Sequence, residues 1–222
     1  MAKNTGYTGK GSLLSKFRKA VLIILSKNLS VKKRERLLIV YDKETEDLAE
    51  RFTDIAKESL DKVESLKIPV LNANGAEPRK KEGQKFLNCN VLILLTSKSL
   101  SHTKARRDCT KKGIRIASMP GITNSILKRS IDVDYDKLKE DSKRAGRLIN
   151  SASEVRIKTG YGTNISFSIK GRKAHGLKSG IYNKKGYWGN LPEGEVFVAP
   201  VEGSANGVFV VFLLRKVFES YC

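Results

Sequence analysis

Residues 91–118 read VLILLTSKSLSHTKARRDCTKKGIRIAS, and three blocks are visible in them. Val91–Leu95 is an unbroken run of large aliphatic side chains, the pattern of a strand covered on both faces. Lys98–Lys112 is long enough for a helix, and Gly113 supplies its stop. Ile114–Ser118 is a second strand, halted by Pro120 and Gly121. Strand, helix and strand in this order imply a parallel crossover, because parallel neighbours need a dozen or more connecting residues between them.

The same alternation extends toward the N-terminus. Arg36–Tyr41 (RLLIVY) is another buried-strand run, closed by Asp42. From Glu44 to Leu66 the apolar residues 48, 52, 55, 56, 60, 63 and 66 follow helical spacing, so one amphipathic helix is expected there. Ile68–Leu71 is expected as a short strand and Glu82–Phe86 as a short helix. Ahead of them, apolar positions 13, 14, 17, 20, 21, 24 and 25 line one helical face, while residues 1–12 are rich in Gly, Lys and Thr and read as flexible.

Toward the C-terminus, Ser125–Ile131 and Tyr135–Ile149 read as helices. The pattern then changes: ten of the 18 glycines lie after Asn150, breaking the remainder into short strands such as Val155–Ile157 and Ile165–Ile169. The fold class expected is α/β, a mostly parallel sheet with flanking helices over 13–150, followed by an incomplete β-rich second domain over 151–222.

Composition excludes several classes. The chain has 222 residues, room for one large or two modest domains, and its 40% hydrophobic content is too high for a disordered basic tail. Its apolar runs, such as Ala20–Leu25, Val91–Leu95 and Val208–Leu214, fall far short of the roughly 20 residues that span a bilayer, and the first residues show no apolar h-region with a small-residue cleavage site. A cytoplasmic protein without membrane attachment is expected. Three cysteines, Cys89, Cys109 and Cys222, lack metal-binding spacing and read as reduced thiols. The net charge of +20 is scattered: KK or KR doublets occur at 32–33, 80–81, 111–112, 128–129, 143–144 and 184–185, and most flank predicted elements instead of forming one stripe. Tyr161, Tyr182, Tyr187 and Trp188 among basic residues are the best case for stacking nucleic-acid bases, but no recognition motif accompanies them, so nucleic acid is not the expected partner.

Two stretches could carry chemistry. Ser97, Ser99, Ser101, His102, Thr103 and Lys104 follow the strand VLILL, where open α/β sheets bind ligands, yet local helix capping accounts for the same hydroxyls. A triad of Ser101, His102 and Asp108 is excluded, since adjacent residues do not direct their side chains toward each other productively. The second stretch, NLPEGEVFVAPVEGSANG, holds Glu193, Glu195 and Glu202, acids in an otherwise basic chain; His175 precedes it without a metal-ligand neighbour. A catalytic metal centre needs about three protein ligands, and spacing alone assigns none of these.

The ordered set SKSLSHTKARRDCTKKGIRIASMPGIT (97–123), IDVDYDKL (131–138), NISFSIKGRKA (164–174) and GNLPEGEVFVAPVEGSANG (189–207) resembles the metal-dependent aminopeptidases of the leucyl aminopeptidase or aminopeptidase T family, over roughly residues 35–208. The resemblance implies a hydrolase with an N-terminal α/β domain and a catalytic domain holding two divalent ions, zinc or cobalt. It further implies a peptide substrate cut at its N-terminal residue, and a homodimer. The residue that matches a family metal ligand is Glu195. The family's other ligands follow later, so a truncated chain with impaired proteolysis is expected and no catalytic residue is assigned. The alternative is a non-enzymatic α/β remnant or a basic nucleic-acid-binding protein.

Overall fold

The computed structural model describes residues 9–176 and 179–211. In chain order these form α1 (Gly9–Ile23), β1 (Arg36–Tyr41), α2 (Glu46–Lys57), β2 (Lys62–Lys67), α3 (Lys80–Phe86), β3 (Val91–Leu95) and α4 (Lys104–Lys111). There follow β4 (Arg115–Ser118), α5 (Asn124–Ser130), α6 (Tyr135–Ser151), β5 (Glu154–Lys158), β6 (Asn164–Ser168), β7 (Trp188–Asn190) and β8 (Asn206–Val208). An α/β fold with a mostly parallel sheet, flanking helices and a small antiparallel sheet results.

The parallel sheet has the order β2-β1-β3-β4-β7. Its central strands are buried on both faces, and their side chains alternate between two cores. Leu37, Ile39, Val91, Ile93, Leu95 and Ala117 pack with Phe17 and Val21 of α1, Phe52 of α2 and Leu127 of α5. Leu38, Val40, Leu92, Leu94 and Ile116 pack on the other side with Phe86 of α3 and Cys109 of α4. Full burial of one such aliphatic side chain contributes about 1.5–3 kcal/mol, so the continuous apolar runs are what make a two-sided sheet stable.

The stretch 44–66 differs from the single helix expected of it. Helix α2 ends at Lys57, and Lys62–Lys67 is the edge strand β2, parallel to β1 with Val63 opposite Leu37 and Leu66 opposite Val40. Val63 and Leu66 sit three residues apart, which suits a helix face, but in a strand an odd separation places them on opposite faces. Val63 accordingly packs against one core and Leu66 against the other. Helix α4 is also shorter than expected, beginning after Thr103, whose hydroxyl accepts from the Arg106 amide.

The chain divides into two units: described residues 9–139 with 179–194, and 140–176 with 195–211. The first therefore recovers a segment from the part expected to be wholly β-rich, and β7 pairs in parallel with β4, Ala117 opposite Gly189. Leu191 and Tyr182 of that segment are buried in the first core. The second unit is an antiparallel sheet of order β5-β6-β8. Of the sequence expectations at the termini, those for residues 1–8 and for 212–222, Cys222 included, lie outside the described residues. Among the described residues no helix is long and apolar enough to cross a membrane.

Candidate functional site

In an open α/β sheet the place for a ligand is the crevice at the carboxyl ends of the strands where the strand order reverses. Here the reversal lies between β1 and β3. Asp42, the residue that ends β1, is buried there. Its carboxylate accepts from the Ser97 amide (2.7 Å), the Ser97 hydroxyl (2.8 Å) and the Glu44 amide (3.0 Å). A carboxylate taken out of water must be satisfied in this way, and the result ties the loop after β3 to the end of β1.

The neighbouring hydroxyls are occupied similarly. The Ser101 hydroxyl lies 3.1 Å from that of Ser118, at the end of β4, and donates to the side-chain oxygen of Asn190 (3.2 Å), at the end of β7. Thr103 donates to the Leu100 carbonyl and caps α4. The Ser99 hydroxyl accepts from the Ser101 amide, and the Ser99 amide donates to Asn74. Lys104 pairs with Asp108, one helical turn away, which holds the Asp108 carboxyl below its ordinary pKa. His102 is exposed, and Arg107 donates to its carbonyl. Ser101, His102 and Asp108 thus face three different partners, and capping accounts for the stretch.

Two further features of this edge had no signal in the sequence. Arg106 is buried, donates from Nε to the Ser101 carbonyl (2.7 Å) and lies over the Trp188 ring at 3.8 Å. Burial lowers its pKa, with Arg107 adding to the effect. Tyr182 is buried and its hydroxyl donates to the Asn190 carbonyl (2.7 Å) and to the Glu193 carboxylate. Burial, and then the Glu193 carboxylate, push the phenol pKa far up, so Tyr182 is a fixed donor. A Cβ at position 189 would stand 2.2 Å from the Tyr182 oxygen, which is why β7 carries glycine at its centre. These contacts break up the aromatic group that offered the best case for stacking bases: Tyr182 is in a core and Trp188 lies under an arginine.

The second unit receives the other candidates. His175 and Phe197 form an antiparallel bridge, with the His175 amide donating to the Phe197 carbonyl (2.8 Å) and the rings 5.8 Å apart. The close approach requires glycine next to it: Gly176 has φ +77°, and a Cβ there would be 2.7 Å from the Glu195 carbonyl oxygen. Glu202 is exposed and paired with Arg172. Glu195 is exposed, and its carboxylate has no hydrogen bond or ion pair among the described residues. The three acids of NLPEGEVFVAPVEGSANG therefore separate: Glu193 belongs to the first unit, Glu202 to an ion pair, and Glu195 alone of the three has no partner among the described residues. Among the described residues no three His, Cys, Asp or Glu side chains converge on one point.

Cys89 and Cys109 are buried free thiols, and burial pushes each up to about 12. They are inert packing residues at neutral pH.

Residues 24–213 match the model of the family NicX, 2,5-dihydroxypyridine 5,6-dioxygenase. The chain belongs to the NicX family. No curated protein sequence matches it significantly. Among solved structures it is similar to the 2,5-dihydroxypyridine dioxygenase of Pseudomonas putida KT2440, at 16% identity and a TM-score of 0.64, with 90% of this chain and 59% of that chain covered. It is also similar to AmpT of Thermus thermophilus, at 12% identity and a TM-score of 0.55, covering 87% of this chain and 63% of that chain. The chain thus spans about three fifths of the length of these two structures.

Membership in the NicX family overturns the aminopeptidase resemblance, and with it the expected hydrolase activity and proteolysis. The alternative, a non-enzymatic remnant or nucleic-acid-binding protein, does not fit either. The misreading has a structural basis. AmpT shares the fold less closely, and the segments quoted for the resemblance include capping and turn residues, such as Thr103, Thr123 and Gly203, which a backbone dictates whatever chemistry it carries.

Proposed function

We propose that this chain serves a NicX-type dioxygenase reaction, with a dihydroxylated pyridine ring as the substrate class. The observation that carries the reading is the family match over residues 24–213. Enzymes of this type are metal-dependent and use iron. The reading therefore keeps the divalent metal expected from the sequence, whereas zinc or cobalt has no support.

The residues described do not by themselves fit a metal centre. About three protein ligands are needed, and no group of three candidate side chains converges among them. Glu195 is the one residue we assign to metal contact. Supporting it are its exposure and the absence of any partner for its carboxylate among the described residues.

The test is oxygen uptake by the purified, iron(II)-treated protein with 2,5-dihydroxypyridine, followed beside the loss of substrate absorbance. Uptake matched one to one by substrate loss is the expected result. A folded sample that takes up no oxygen, or one that instead releases amine from a leucyl amide with zinc or cobalt, overturns the reading.

A further inference from the structure

A cavity of about 630 Å³ lies beside the edge strand β2, between its carboxyl end and α3. Its floor is apolar, made by Leu66, Ile68, Pro69 and Val70. Around it stand Lys43, Lys67, Arg79, Lys81 and Lys85, all with exposed side chains, against the single acid Glu82. Lys and Arg are 43 of the 222 residues of the chain but half of this lining, so the cavity gathers charge that the sequence shows only as scattered doublets.

Most of that charge is uncompensated. Glu82 is buried and accepts from the Arg79 amide (3.0 Å), capping α3. Lys67 is paired with Glu46 at 2.6 Å. Lys43, Arg79, Lys81 and Lys85 have no ion pair among the described residues. Lys81 and Lys85 are also i, i+4 neighbours on α3, a spacing at which like charges repel. An arrangement that is unfavourable when empty becomes favourable around an anion, because a multiply charged oxyanion offers several acceptors to converging ammonium and guanidinium groups. The apolar floor adds a second requirement, a flat or hydrophobic body attached to the anion, and the volume lies within the usual range for small-molecule sites.

We infer that this cavity is a binding site for an organic phosphate, its phosphates held by Lys43, Arg79, Lys81 and Lys85 and its body lying on Leu66, Ile68 and Val70. The site lies in the first unit, shares no residue with the Glu195 assignment and stands whether or not the dioxygenase reading does.

Isothermal titration at fixed ionic strength with ADP, inorganic pyrophosphate and adenosine tests it. ADP is expected to bind at one site per chain, about tenfold or more tighter than either pyrophosphate or adenosine, because only ADP meets both requirements. The exposed pair Lys81→Glu/Lys85→Glu should weaken ADP at least about tenfold, while the charge-matched pair Lys158→Glu/Lys173→Glu in the second unit should change it less than about twofold. The milder pair Lys43→Gln/Arg79→Gln should weaken it in the same direction. Absence of saturable ADP binding, equal affinity for pyrophosphate and ADP, or equal losses in the two charge-reversed proteins overturns the inference.

Discussion

The two units of this chain solve the same problem in unequal ways. In the first, β3 is buried at every position and its residues feed two cores, each capped by helices. In the second, β5 has four of its five residues exposed, and β8 is exposed throughout. Phe197, Val208, Phe209 and Val211 are all more than half exposed. A sheet with helices on both faces stabilises itself by area removed from water, whereas a three-stranded sheet with one thin layer depends on turns and backbone pairing. The residues proposed for chemistry follow this division, with the open carboxylate of Glu195 lying in the more exposed unit.

The contrast is sharpened most by Leu94→Ala. Leu94, the fourth of the five residues of β3, is 1% exposed, and emptying its site should cost about 2–5 kcal/mol in a urea unfolding experiment. A cost below about 1 kcal/mol would mean that the first unit is not packed as described. Next is Gly189→Ala, where the new methyl must displace the Tyr182 hydroxyl from its bonds to Asn190 and Glu193. A loss of about 1–3 kcal/mol is expected, by the same measurement; Tyr182→Phe in the same background should not recover it, because a Cβ at 189 would still stand 2.4 and 2.6 Å from two ring carbons.

Cys89 and Cys109 give a pH-dependent form of the same contrast. Their folded pKa, about 12, lies above the ordinary value of 9.0. Above pH 9 the unfolded chain releases the thiol protons while the folded chain keeps them, so the unfolded state binds fewer protons and stability falls as pH rises. The loss begins near pH 9 and ends near pH 12, with a limit of about 1.4 kcal/mol per pH unit for each thiol. Unfolding midpoints from pH 8 to 11 should decline, and decline less in Cys89→Ala. In a Cys222→Ala background, rapid reaction of the native protein with a thiol reagent at pH 8 would contradict the burial of Cys89 and Cys109. The smallest effect is expected from Phe209→Ser in the second unit, 65% exposed. Stability should change by less than about 0.5 kcal/mol, but self-association at high concentration, read by light scattering, should diminish because an exposed apolar side chain beside an open strand edge is removed.

Legibility from the sequence followed burial. The strands Arg36–Tyr41 and Val91–Leu95 were readable to the residue because a short uninterrupted aliphatic run between turn residues fits a strand covered on both faces. The edge strand β2 was not, since KVESLK carries apolar residues at a spacing that helices and edge strands share, and only pairing with β1 separates the two. Strand β7 was invisible: WGN has no periodicity, and its place is fixed by Leu191 and Tyr182 entering a core formed far earlier in the chain. At the candidate site, Glu195 was named only through the aminopeptidase resemblance that NicX membership overturns, whereas the capping alternative for Ser97–Lys104 came from the residues themselves. The burial of Asp42 and the Tyr182–Glu193 bond could not be read, because the first depends on a loop 55 residues away and the second on a parallel strand with no local signature.

The α/β class and the identity of the buried strands were determined by the sequence itself, through apolar patterning that acts over a few residues. Three things were decided by tertiary structure: which acid stays open, which hydroxyls are consumed as caps, and where the excess of lysine and arginine gathers. Each depends on side chains from separate segments meeting in space, and hydrogen bonding, burial and Coulomb interactions act on that distance, with no regard for distance along the chain.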